Sequence, residues 1–213
     1  MRHLTESRPK PLIEVGGRKL IDHALQATKL DQISNIVINT HYFADQIQAY
    51  PYDRPVRFSN EDKLLETGGG LKRALPLLDS EIVMTLNSDA VWVGPNAGDF
   101  ILSKWRPEMS ALLLLVPKQN AVAHLGSGDF DQDGQGRLTR GSSHVYTGMQ
   151  ITRTEPYARE PSEKFSSNLV WSDLIARGGL YGAIYPGQWC DVGYPEAIPL
   201  AEKLLDGSIG SHD

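Results

Sequence analysis

Two aspartates, one lysine and a run of three glycines are the residues of this 213-residue chain whose types and settings could do chemistry. Asp89 closes the stretch Glu81-Ile-Val-Met-Thr-Leu-Asn-Ser-Asp89, in which Ile82 to Leu86 form a nearly continuous apolar run too short for a free-standing helix. Such a run predicts a strand buried on both faces, as in a parallel sheet covered by helices. Ligands of open α/β sheets lie beyond the carboxyl ends of the strands, so a carboxylate just past the run is placed for chemistry. The competing meaning is plain turn chemistry at Asn87-Ser88-Asp89. Asp191 lies in Trp189-Cys-Asp-Val-Gly193 among apolar neighbours, where an acid is costly unless paired or bound to a metal. Two such carboxylates could converge on one hard cation. Magnesium suits them, because it takes one or two protein carboxylates and completes its shell with phosphate oxygens and water.

Lys10 stands between two prolines in Pro9-Lys10-Pro11-Leu12. Each proline fixes its own φ and restrains the residue before it, so the lysine projects from a stiff backbone. An exposed loop lysine is the commoner meaning; a fixed phosphate contact gains weight only beside other groups. Glu66-Thr-Gly-Gly-Gly70 leads into a helix expected from about Leu71 to Leu78. Glycines opening a helix let backbone N–H groups approach a ligand closely, and the helix N-terminus favours anions. The GxxxxGK[ST] pattern is absent, so this is no Walker A loop. A rigid lysine, an amide-rich segment and two acids together suit phosphoryl or nucleotidyl transfer, where positioning and charge neutralisation supply most of the catalysis.

The elements that must hold these residues alternate. Helical spacing covers Lys19 to Leu30, Phe43 to Tyr50, Gly98 to Trp105, Asn168 to Arg177 and Pro195 to Leu205; strand-like runs cover 33–40, 56–58, 109–116, 145–151 and 180–185. Alternation of this kind predicts an α/β, Rossmann-like, doubly wound and mainly parallel sheet. Asp129-Phe-Asp-Gln-Asp-Gly134 imitates the start of a calcium loop, but the twelfth position is Arg140, so a β-hairpin turning at Asp133-Gly134 is expected instead. The polar stretch from Glu155 to Ser167 reads as a lid, and the segment from Gly207 to Asp213 as a frayed tail. A single domain over residues 1–213 is expected.

A net charge of −5 argues against a general nucleic-acid binder. Cys190 is the lone cysteine, which excludes a disulfide framework and a cysteine-built zinc site. No long apolar span and no signal peptide are visible, so a cytoplasmic protein without a membrane partner is expected. An uncovered sheet edge would favour a homo-oligomer.

Several short pieces, in order, resemble the sugar-1-phosphate nucleotidylyltransferase family: Leu4-Thr5 with Pro9-Lys10-Pro11-Leu12, Asn39-Thr40-His41, Glu66 to Gly70, Asn87-Ser88-Asp89, Tyr146-Thr147-Gly148 and Trp189 to Gly193. The resemblance runs from Met1 almost to Leu205. It implies that Lys10 contacts the triphosphate, and that Glu66, Thr67, Gly68, Gly69, Gly70 and Asn87 contact the nucleotide. It further implies that Tyr146, Thr147 and Gly148 line the sugar, that Asp89 and Asp191 hold Mg2+, and that a nucleotide-binding half covers about 1–116 and a sugar-binding half about 117–206. The partners implied are a nucleoside triphosphate and a sugar-1-phosphate, with UTP and N-acetylmuramate-1-phosphate favoured over GTP and mannose-1-phosphate. Members of the family carry, before the position of Met1, a first strand in the middle of the sheet and a loop ending Gly-x-Gly-x-Arg-Met. The expectation is therefore a missing first central strand, through a misassigned start or a truncated form with little or no activity. A non-catalytic binding relative and a nucleotide-sugar glycosyltransferase are the alternative readings.

Overall fold

The computed structural model describes residues 4–208, so Met1 and most of the tail beyond Gly207 lie outside the described residues. The first elements are short. A 3₁₀ turn at Lys10–Leu12 leads into a hairpin of β1 (Glu14–Val15) and β2 (Arg18–Lys19), then α1 (Leu20–Ala27). The hairpin reverses at Gly16 and Gly17, whose φ of 58° and 76° favour glycine. β3 (Val37–Thr40), α2 (Ala44–Gln48) and β4 (Arg57–Asn60) follow, then α3 (Glu66–Leu78), β5 (Ile82–Leu86), β6 (Ala90–Val93), α4 (Ala97–Lys104) and β7 (Ala111–Pro117). The second part holds β8 (Ala121–Val122), β9 (Phe130–Gln132), β10 (Leu138–Arg140), β11 (His144–Arg153), α5 (Glu155–Arg159), α6 (Ser167–Ala176), β12 (Leu180–Ile184), β13 (Gln188–Asp191) and α7 (Ala197–Leu205).

The main sheet runs β10-β9-β11-β7-β12, with β5 on the other edge of β11. β7 is its centre. Ala111 to Val116 are all buried, with Leu113 and Leu115 packing under α3, α5 and α6, and Leu112, Leu114 and Val116 packing toward α4. Helices therefore cover both faces, as the α/β reading requires. A second sheet, β6-β13-β8, is closed by α1 and α7 through Leu20, Val91, Cys190, Val192, Ala201 and Leu204.

Three expectations are corrected. The strand buried on both faces is β7, whereas β5 is mostly half-buried and, among the described residues, its one ladder partner is the antiparallel β11. The sheet is thus mixed, with parallel ladders at β3–β4, β7–β12 and β8–β13. The helix after the glycines begins at Glu66, five residues before the expected start at Leu71, so the triplet lies inside α3. The stretch Glu155 to Ser167 is no loose lid: it contains α5 and pins Tyr157 and Phe165 into the core, at 0% and 5% exposure. The hairpin of β9 and β10 forms as expected, its turn closed by the Gly136 amide donating to the Asp133 carbonyl oxygen at 3.0 Å.

Among the described residues β3 pairs with β4 alone, and β5 with β11 alone. A groove runs between them. Its walls are Ile36, Val37 and Ile38 on one side and Met84, Thr85 and Leu86 on the other.

Candidate active site

Lys10 and Asp89 meet although 79 residues separate them: Lys10 Nζ donates to Asp89 Oδ2 at 2.7 Å. The lysine is fixed by its 3₁₀ turn, in which the Leu12 amide donates to the Pro9 carbonyl oxygen and the Ile13 amide to that of Lys10. Asp89 sits between β5 and β6. Strand register then delivers the second acid, because Asp191 pairs across β13–β6 with Ala90. The Val192 amide also donates to the Asp89 carbonyl oxygen at 2.8 Å. The two carboxylates named from sequence thus lie side by side at adjoining strand ends.

Their electrostatics are unequal. Burial, and after it the negative charge of Asp89, push the Asp191 carboxyl above its ordinary range; Lys10, His124 and a hydrogen bond from the Gly193 amide oppose the shift. Lys10 is bonded to Asp89, and among the described residues Asp191 has no ion-pair partner of its own. Among the described residues no three His, Cys, Asp or Glu side chains gather as a metal cage. Two carboxylates, one of them poorly compensated, fit magnesium, which leaves most of its shell to phosphate oxygens and water, better than calcium, which takes six to eight oxygen ligands. Cys190, next to Asp191, is fully buried, and burial lifts its thiol to about 12, so it is no nucleophile at neutral pH.

A cavity of ≈ 930 Å³ opens beside this pair and includes the groove between β3 and β5. Its wall collects Lys10, Glu66, Thr67, Gly70, Asn87, Asp89 and Tyr146 from the residues singled out in the sequence. The glycine triplet divides. Gly68 and Gly69 both donate their amides to the Phe165 carbonyl oxygen, at 2.9 and 3.0 Å. A Cβ on Gly68 would stand 2.4 Å from the Phe165 ring, and one on Gly69 would stand 2.3 Å from the Glu163 carbonyl oxygen. These two glycines are therefore small because the 163–165 strap crosses the helix there, and their amides are already engaged. Gly70 alone of the three faces the cavity. Its carbonyl oxygen accepts from Asn39 Nδ2 at 2.9 Å, and Asn39 also donates to Glu61 Oε1 at 3.0 Å. Glu61 in turn accepts from the Leu65 amide, which fixes the start of α3. Glu66 has a φ of 65°, a strained left-handed backbone of the kind that clusters at ligand sites.

Gly148 occupies a bulge in β11, where the register with β7 slips between Tyr146 and Gln150. Its φ is 85°, and its carbonyl oxygen accepts from the Asn87 amide at 3.0 Å. A Cβ there would press on the Asn87 side chain at 3.0 Å, so Gly148 and Asn87 meet directly. Tyr146 packs edge-on against Trp171, with ring centroids 4.9 Å apart. Thr147 points away: it is fully buried and donates to the Leu114 carbonyl oxygen at 2.9 Å. The acidic hairpin is also accounted for. Asp129, Asp131 and Asp133 accept from the backbone amides of Tyr146, of Ser142 and Ser143, and of Gln135 and Arg137, which uses them as loop fasteners.

Sequence reasoning gave no role in this assembly to Asn39, Glu61 or His124. Asn39 lies in one of the matching pieces and Glu61 just past a strand, neither with a chemical signal of its own. His124 stands next to a residue of positive φ, Ala123 at 59°, which sequence does not display.

The model of the MobA-like NTP transferase domain matches residues 2–162. The chain is 36% identical over 222 residues to N-acetylmuramate alpha-1-phosphate uridylyltransferase of Caulobacter vibrioides, covering 96% of this chain and 91% of that relative. It is 30% identical over 216 residues to the enzyme of the same name from Neisseria meningitidis serogroup B, covering 96% and 92%. The fold is shared with the inositol-1-phosphate CTP transferase of T. maritima at a TM-score of 0.77 and 12% identity, covering 100% of this chain and 93% of that one. No helix among the described residues is long and apolar enough to cross a membrane. The chain belongs to the MobA-like NTP transferase family.

Proposed function

We propose that this protein joins a nucleoside triphosphate, UTP in the first instance, to a sugar-1-phosphate, N-acetylmuramate-1-phosphate in the first instance, giving a nucleotide-sugar and pyrophosphate. The observation that carries the reading is the meeting of Asp191 with Lys10 and Asp89, the last two lining a cavity also walled by Glu66, Thr67 and Gly70. A phosphate oxygen of the sugar-1-phosphate bonds to the α-phosphorus as the bond from that phosphorus to the β-phosphate bridging oxygen breaks. No proton need move, because the attacking oxygen is already anionic. Lys10 neutralises triphosphate charge from its rigid turn. Asp89 and Asp191 would hold magnesium, which when bound offsets negative charge on the phosphates. Glu66, Thr67 and Gly70 receive the base with Asn87 beneath it, while Gly68 and Gly69 set the helix against the strap. Tyr146 and Gly148 border the sugar, and Thr147 anchors their strand. In this reading residues 1–116 serve the nucleotide and 117–206 the sugar.

The relatives' names support both substrates, and the two acids brought together support the metal. Purified protein with Mg2+, UTP and N-acetylmuramate-1-phosphate should release pyrophosphate in a coupled assay, and faster than with GTP and mannose-1-phosphate. No pyrophosphate from any pairing of the four common nucleoside triphosphates with a panel of sugar-1-phosphates would refute the enzyme reading. Nucleotide binding retained in the same preparation would then leave a binding protein.

A further inference from the structure

Lys10 stands on the Asp89 side of the acidic pair, and the other side carries a group the reaction has not used. β8 runs parallel to β13 with Val122 paired to Cys190, so the chain leaves that ladder alongside Asp191. Ala123, at a φ of 59°, then turns it. Trp189 and Asp191 are two residues apart on β13 and so share a face. The His124 ring packs on that face, 6.1 Å from the Trp189 ring, and is one of the groups that oppose the rise of the Asp191 carboxyl. His124 Nε2 and Trp189 Nε1 are both shut off from water, and neither has a hydrogen-bond partner among the described residues. Buried nitrogens of this kind normally have partners. Gly126 lies against the ring edge: a Cβ there would stand 2.6 Å from Nε2. Leu125, between them, is 84% exposed.

We propose that His124 is a substrate-contacting residue whose ring N–H donates to a phosphate oxygen of the sugar-1-phosphate as that group lies beside Asp191, with Gly126 displaced from the ring edge on entry. The inference rests on the nucleotidyltransferase reading above. Two anionic reactants must be held on opposite sides of one metal-binding pair, and Lys10 and His124 flank that pair. The ligand class is a phosphate monoester, not the triphosphate.

Titration calorimetry of the whole chain in Mg2+ tests it, with UTP and N-acetylmuramate-1-phosphate as separate probes. His124→Ala should weaken sugar-1-phosphate binding by about tenfold or more, as for a lost hydrogen bond to a charged group. UTP binding should be unchanged, which also shows that the variant folds. His124→Gln, which keeps a side-chain N–H donor, should recover part of the loss. Unchanged sugar-1-phosphate affinity in His124→Ala overturns the proposal, as does an equal loss for UTP, which marks a purely structural role. Wild-type protein that binds UTP but no sugar-1-phosphate overturns it while the nucleotide site stands. Binding of neither probe removes the reading beneath it as well.

Discussion

Replacing Asp191 by asparagine should move stability and turnover in opposite directions. The folded protein holds this carboxyl half-buried and next to Asp89, and both effects raise its affinity for a proton. At neutral pH the charge therefore works against folding, and Asp191→Asn removes it while keeping an oxygen for the Gly193 amide. Relieving such a functional strain commonly stabilises by about 0.5–2 kcal/mol, and solvent screening of a half-exposed group places the gain at the lower end. For a chain of this length each kcal/mol is worth roughly 2–4 °C, so the variant should melt about 1–4 °C above the wild type in metal-free buffer. The sign with pH follows from linkage. A carboxyl with a raised folded pKa destabilises fully above that pKa, less as pH falls through it, and not at all below its unfolded value. The difference in melting temperature should shrink as pH drops toward 4. Activity should fall instead. Losing one of the two proposed metal ligands should remove about 3 kcal/mol or more of transition-state stabilisation, over 100-fold in pyrophosphate release. A variant that melts below the wild type at pH 7, or keeps most of its turnover, would refute the account of the acidic pair.

Three further outcomes are expected. Lys10→Ala should lower kcat/KM for the nucleoside triphosphate by about tenfold or more in steady-state assays, since it removes the cation bonded to Asp89. Gly69→Ala should cost about 1–3 kcal/mol in thermal melts, because its Cβ would collide with the Glu163 carbonyl oxygen and push the strap off α3. The Cys190 thiol, lifted to about 12 by burial, should resist alkylation at pH 8 in the native protein and react on denaturation; native labelling with loss of activity would contradict its place in the core.

Much of the scaffold was legible because periodicity reports burial. The apolar run of β7 and the helical spacing of α1, α4 and α7 appear close to where the pattern puts them. Sequence could not rank two similar runs. Ile82–Leu86 and Ala111–Val116 read alike, and only pairing shows that β5 lies against the antiparallel β11 with its other edge on the groove. Glycine was ambiguous for a related reason. Gly68 and Gly69 are small because Phe165 and Glu163 cross them, a contact between distant stretches that no local pattern encodes. The Glu155–Ser167 stretch looked like a lid because polar residues dominate it, yet Tyr157 and Phe165 fasten it down. Two isolated carboxylates suggest that Asp89 and Asp191 converge; the β6–β13 register supplies the physical basis for their meeting.

The groove between β3 and β5 has a mechanical consequence. Among the described residues no backbone ladder crosses it, and the β3–β4 ribbon is held to the rest of these residues by side chains, by helix packing and by the connections through α1 and α3. Asn39 on Gly70 fastens the ribbon to α3, and Lys10 on Asp89 ties the leading segment to the far bank. Such a ribbon can shear as a unit, so amides of Val37 to Thr40 should exchange with deuterium well before those of Leu112 to Val116, and a ligand spanning both banks would act as the rivet.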